Sequence, residues 1–113
     1  MEKGESINAK MSSSVISKRL EGKTILITGA SSGIGRSTAL EFVRSCPKNL
    51  RLMLTARRIG ALYELTSQIN KEVGDGVKIF VYQLDVSKLD EVDSFVSSLP
   101  EDFQEIDILV NNA

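Results

Sequence analysis

Short apolar runs alternate along this chain with longer stretches whose apolar residues recur every three or four positions. The first run, Thr24-Ile25-Leu26-Ile27-Thr28, is β-branched and ends at a glycine. It reads as a strand buried on both faces. Runs of the same kind lie at about 50–56, 77–83 and 106–110. Between the first two, a helix is predicted to run to about Cys46, with Ile34, Ala39, Phe42, Val43 and Cys46 on one face and Pro47 as its stop. A second helix is predicted over 61–73, with Leu62, Leu65, Ile69 and Val73 as its stripe and Gly74 just past its end. Ser87 is the expected N-cap of a third, whose stripe is Leu89, Val92, Phe95, Val96 and Leu99 before Pro100. The order βαβαβαβ implies an α/β fold: a Rossmann-type parallel sheet with flanking helices, strand order 3-2-1-4, cut off after the fourth strand.

The first 22 residues lack this patterning. Residues 1–14 are polar, and a weak helical stretch puts Val15, Ile16 and Leu20 on one side. Residues 1–22 are therefore expected to form a flexible N-terminal tail, and 23–113 the folded unit. Met11 is a minor candidate for an alternative start, because the patterned region needs nothing before it.

Composition narrows the function classes. The 113 residues allow one small domain, and 14 basic against 15 acidic side chains offer no field for a nucleic-acid backbone. Without histidine there is no His-based metal site, triad or pH switch. The acidic Asp90, Glu91 and Asp93 fit the first turns of a helix better than a metal site. A single cysteine, Cys46, forms no internal disulfide and is expected to pack. No apolar run approaches the roughly 20 residues that cross a bilayer, and the first 22 residues resemble neither a signal nor a transit peptide. The expected location is the cytoplasm, away from membranes.

Candidate chemistry is concentrated in Gly29-Ala30-Ser31-Ser32-Gly33-Ile34-Gly35, between the first strand and its helix. Gly29 permits a sharp exit from the strand. Gly33 has no side chain to hold a ligand away, and Gly35 permits close packing of helix on sheet. The helix N-terminus that follows suits a pyrophosphate, and Ser31 and Ser32 can add hydroxyl donors. A P-loop needs a lysine where Arg36 stands and a different glycine spacing. Arg57 and Arg58 end the second strand, about 20 residues past the glycines, where an acidic residue would hold the ribose 2′-hydroxyl of NAD. Guanidinium groups there match a 2′-phosphate, so NADP is the expected coenzyme. Asp85 and Val86 follow the third strand, where a carboxylate can accept from the adenine amino group. Asn111-Asn112-Ala113 ends the fourth strand at the same carboxyl edge, where open α/β sheets bind ligands. The topological reversal then lies between strands one and four, with Gly29 and Asn111 on one crevice.

Together these signatures resemble the short-chain dehydrogenase/reductase family, over about 23–113, which corresponds to the N-terminal half of its fold. Thr28-Gly29-x-x-x-Gly33-x-Gly35 looks like its coenzyme motif, Asp85 like its adenine-contacting aspartate, and Asn111-Asn112-Ala113 like its N-N-A-G motif without the last glycine. The wider pattern resembles NADP-dependent 3-hydroxy acid (serine-type) dehydrogenases. The resemblance implies an oxidoreductase moving hydride between an alcohol and a ketone. It implies phosphate contacts from Ser31, Ser32 and Ile34, 2′-phosphate contacts from Arg57 and Arg58, adenine contacts from Asp85 and Val86, and a coenzyme role for Asn111 and Ala113. It further implies a homo-oligomeric full-length protein.

The catalytic part of that pattern is missing. The family needs a serine and a Y-x-x-x-K pair, but Ser67 stands four residues after Tyr63 and Val86 four after Tyr82. The chain is therefore expected to be a coenzyme-binding fragment without turnover. A non-catalytic dinucleotide-binding module is the alternative, and a flavin-binding domain a weaker third. The first two helices should cover one sheet face and the third only part of the other. Strands one and four are then expected to stay partly wet, and the isolated chain to aggregate.

Overall fold

The computed structural model describes residues 18–112. The expectations for Met11, Val15, Ile16 and Ala113, and for the tail through residue 17, lie outside the described residues. Residues 18–20 have helical backbone, and Leu20 is buried in the core.

The elements follow in the order β1 (Thr24–Thr28), α1 (Gly33–Ser45), β2 (Leu50–Ala56), α2 (Ile59–Val73), β3 (Val77–Gln83), α3 (Leu89–Ser97) and β4 (Ile108–Asn111), with a 3₁₀ turn at Glu101–Phe103 before β4. All pairings are parallel, and the sheet order is β3-β2-β1-β4. Consecutive strands lie side by side from β1 to β3, and β4 then pairs with the other edge of β1. The reversal puts the β1 and β4 carboxyl ends together, with Thr28 opposite Asn111. No helix among the described residues is long and apolar enough to cross a membrane.

Two clusters sandwich the sheet. On one face Ile25, Ile27, Leu52 and Leu54 pack against Ala39 and Val43 of α1 and Leu62, Leu65 and Ile69 of α2. Full burial of each large side chain stabilises by roughly 1.5–3 kcal/mol. On the other face Leu26 and Met53 meet Phe95 of α3, Leu84 and Phe103. Phe80 and Tyr82 join this second cluster, with Tyr82 edge-on to Phe95 at 5.1 Å and Phe80 tilted on Phe103 at 5.6 Å.

Five expectations need correction. Strand one is not wet: Thr24–Thr28 is buried throughout, because the 3₁₀ turn delivers Phe103 to the face that α3 leaves open. Only β4 stays exposed, with Leu109 at 60%. Ile34 is not on the buried face of α1 but 73% exposed, because Gly35, Ala39 and Val43 define that face and Ile34 lies a helical step of about 100° away. The α3 stripe is incomplete, since Phe95 is buried while Leu89 and Val96 stay exposed with no second helix beside them. Ser87 does not cap α3. The cap is Lys88, without a side-chain bond, while Ser87 N and Oγ both donate to Asp85 Oδ1. β4 begins two residues later than expected because Asp107 is bound through its side chain. Its carboxylate accepts Thr24 N–H at 2.8 Å, and its own N–H donates to Thr24 O.

Cys46 packs as expected, buried at the end of α1, with Sγ donating to Lys48 O at 3.2 Å.

Candidate functional site

Three strand-to-helix turns converge at the carboxyl edge of the sheet. Between them lies a cleft of about 800 Å³ lined by Gly29, Ser31, Ser32, Ala56, Arg57, Arg58, Leu84, Asp85, Val86, Ser87 and Asn112.

The first turn is built around Gly29, whose φ of 61° is left-handed backbone that side-chain-bearing residues rarely adopt. Ser32 is the N-cap of α1, and its Oγ accepts Gly35 N–H at 3.2 Å. The same hydroxyl donates to Gly29 O at 3.0 Å, so the Ser32 proton is held inside the turn rather than aimed into the cleft. Gly35 sits where a Cβ would lie 2.3 Å from Gly29 O and 2.8 Å from Asn112 Nδ2. A Cβ on Gly33 would meet nothing within 4 Å. The two glycines therefore serve different ends: Gly35 is required by the chain's own packing, while Gly33 keeps one side of the turn open.

Asn112 closes this turn from β4. Its Nδ2 lies within hydrogen-bonding distance of Ser32 Oγ, 2.7 Å, and Gly29 O, 3.1 Å, and its backbone N–H donates to Thr28 Oγ1. Asn111 points differently: its Oδ1 accepts from Thr28 Oγ1 at 3.0 Å, and it does not line the cleft. Sequence reading selected Asn111 and Ala113 from the N-N-A run and passed over Asn112. Strand alternation was the signal that could have separated the neighbours, because adjacent side chains leave a strand on opposite sides.

The second turn carries the arginines. Both are exposed, and Arg58 is the N-cap of α2 without a side-chain capping bond. Salt bridges among the described residues join Arg44 to Glu72, Lys78 to Asp102 and Lys88 to Glu91, and leave both guanidinium groups at the cleft unpaired. That wall therefore presents positive charge free of any salt bridge among the described residues, with the Asp85 carboxylate lining the same cleft. In the third turn, hydrogen bonds from Ser87 hold the Asp85 carboxyl below its usual range, and the Lys88 and Arg57 charges add to the effect. Glu91 Oε1 reaches back from α3 to accept Asp85 N–H at 3.0 Å.

The cleft thus gathers Gly29, Ser31, Ser32, Arg57, Arg58, Asp85 and Val86 from the expected set. Gly33 and Ile34 line a separate, shallower depression along the outer side of α1, with Ser37, Thr38 and Phe42. Gly35 lies buried beneath the turn. Chemically, the cleft offers donors and a helix N-terminus at one end, cations at one wall and an ionised carboxylate at the next. That combination suits a long, polyanionic ligand carrying a base with an amino group.

The residue pattern of short chain dehydrogenases matches residues 23–113. Over 95 residues the chain is 44% identical to an NADP-dependent 3-hydroxy acid dehydrogenase of Schizosaccharomyces pombe, covering 84% of this chain and 35% of that protein. It is 43% identical over 101 residues to the 11-beta-hydroxysteroid dehydrogenase 1A of Arabidopsis thaliana, covering 89% of this chain and 28% of that one. The fold superposes on the L-sorbose reductase of Gluconobacter frateurii complexed with NADPH and L-sorbose, with a TM-score of 0.72 and 35% identity, over 83% of this chain and 34% of the reductase. The chain spans about a third of the length of these relatives. With the matched pattern running from β1 through β4 and the glycine turn in its place, the chain belongs to the short-chain dehydrogenase family.

Proposed function

We infer that this chain is the coenzyme-binding part of an NADP-dependent oxidoreductase that moves hydride between an alcohol and a ketone. The observation carrying this reading is the pair Arg57–Arg58, exposed and without carboxylate partners, on the wall of a cleft whose far end is the glycine turn. In this reading the N-terminus of α1 and the turn at Gly29, Ser31 and Gly33 hold the diphosphate, with Ile34 and Gly35 setting the approach. Arg57 and Arg58 take the 2′-phosphate, and Asp85 and Val86 the adenine. Asn112 borders the ribose side, and the resemblance adds a coenzyme role for Asn111 and Ala113. NADP, when bound, supplies or accepts the hydride. This chain's residues orient the coenzyme and screen its phosphates.

The identity to a 3-hydroxy acid dehydrogenase supports a small hydroxy acid as substrate. Residues 23–113 contain no Y-x-x-x-K, so proton exchange with substrate would fall to residues beyond this chain. The second reading is a dinucleotide-binding module without turnover. Cytoplasmic location and homo-oligomeric assembly belong to the first reading, which rests there on the lone Cys46 and on the resemblance.

Coenzyme titration of the full-length protein tests the proposal. NADP is expected to bind more tightly than NAD by about tenfold or more, on the scale of 1.4 kcal/mol for a charge-assisted contact. Arg57→Asp is expected to narrow or reverse that gap. Equal affinities in the unmodified protein would remove the arginine assignment. Alcohol-dependent NADPH formation separates the enzyme from the module.

A further inference from the structure

Backbone hydrogen bonding between β2 and β3 extends to Leu84 N–H, which donates to Ala56 O at 2.9 Å. One residue further on, the chain leaves β2 to enter α2, and the ladder stops. A side chain continues it. Gln83, opposite Ala56 in the register, donates from Nε2 to Arg57 O at 2.9 Å. Outside the regular elements, no other hydrogen bond among the described residues holds the Arg57 peptide. Gln83 also lines a polar cavity of about 410 Å³ with Arg57, Asp85, Lys88 and Glu91. That cavity adjoins the larger cleft, because Arg57 and Asp85 line both.

We propose that Gln83 is a positioning residue for coenzyme choice: by fixing the Arg57 peptide it aims the guanidinium at the adenosine 2′-phosphate. The inference rests on the NADP reading given above. An arginine on a loose turn must be ordered when its anion binds, and that ordering weakens binding. Fork-to-phosphate recognition also depends on orientation more than a point charge does. A carboxamide meets both needs, because it donates to a carbonyl without setting negative charge beside the phosphate. NAD carries only an uncharged hydroxyl at this position, so its affinity depends far less on where Arg57 points.

The test compares dissociation constants of NADP and NAD for the full-length protein and for Gln83→Met, which keeps the side-chain length and removes the donor. NADP affinity should fall about 3- to 10-fold, the effect of losing one hydrogen bond, while NAD affinity stays within about twofold. Unchanged NAD binding also reports an intact fold. An NADP-to-NAD ratio that survives Gln83→Met overturns the positioning role alone, whether both affinities hold or both drop together. An unmodified protein without NADP preference overturns the 2′-phosphate reading and this inference with it.

Discussion

Gly33 and Gly35 lie two residues apart, yet their substitution should separate stability from binding. Gly35→Ala forces a methyl against Gly29 O, which is backbone and cannot swing aside. The expected cost is about 1–3 kcal/mol of folding stability, typical of overpacking, read as a lower denaturation midpoint. Gly33→Ala meets open space, and alanine favours helix by up to about 1 kcal/mol over glycine. Its stability should hold or rise, while NADP affinity drops about tenfold or more as the methyl enters the diphosphate path. Matching losses of stability in both variants would contradict the division. At this scale the sequence was largely readable: glycine spacing predicted a strand exit, an open side and a tight packing point. It did not distinguish Asn112 from Asn111. That choice depends on which side chain leaves β4 towards the turn, and so on where β4 begins.

At the level of elements, side chains brace the ends of strands and helices. Arg44 of α1 grips Glu72 of α2 through Nε and Nη2 at 2.8 and 3.0 Å, and Gln68 joins Arg36 to Glu72. Lys78 of β3 holds Asp102 of the 3₁₀ turn at 2.8 Å, behind Phe103. Hydrogen bonds from Arg44 and from Lys78 respectively hold the Glu72 and Asp102 carboxyls below their usual range, as Ser87 does for Asp85. The unfolded chain therefore takes up these protons at a higher pH than the folded chain does. The stability these groups contribute is present at neutral pH and is lost as pH falls through the acidic range. Thermal midpoints should decrease from about pH 5 to about pH 3, and Arg44→Met should flatten that slope. An unaltered slope in Arg44→Met would show that the α1–α2 pair carries none of it. Periodicity had predicted these helices from their apolar faces. The charged braces link residues 24 to 32 positions apart, a pairing no local pattern reveals.

Across the whole molecule, the two sheet faces are unequally covered. α1 and α2 close one face, whereas α3 and Phe103 close only the part of the other over β1 to β3. Leu109 pairs beside Leu26 in β4 and is 60% exposed, near the outer edge of the sheet. An apolar, unpaired strand edge templates association. The 113-residue chain expressed alone should scatter light at micromolar concentration, and Leu109→Lys should reduce that scattering by placing charge on the edge strand. A monomeric, cooperative melt of the unaltered chain would contradict this.

The sequence by itself determined the class of fold, the positions of the first three strands and the glycine turn, because each is written in local periodicity or in the backbone freedom of single residues. Tertiary structure decided what depends on distant partners: Phe103 covering strand one, Ile34 turning outward, Asp107 delaying β4, and Asn112 and Gln83 tying turns to neighbouring strands. Those outcomes follow from contacts across the sheet, where packing and hydrogen-bond geometry select among side chains that look equivalent along the chain.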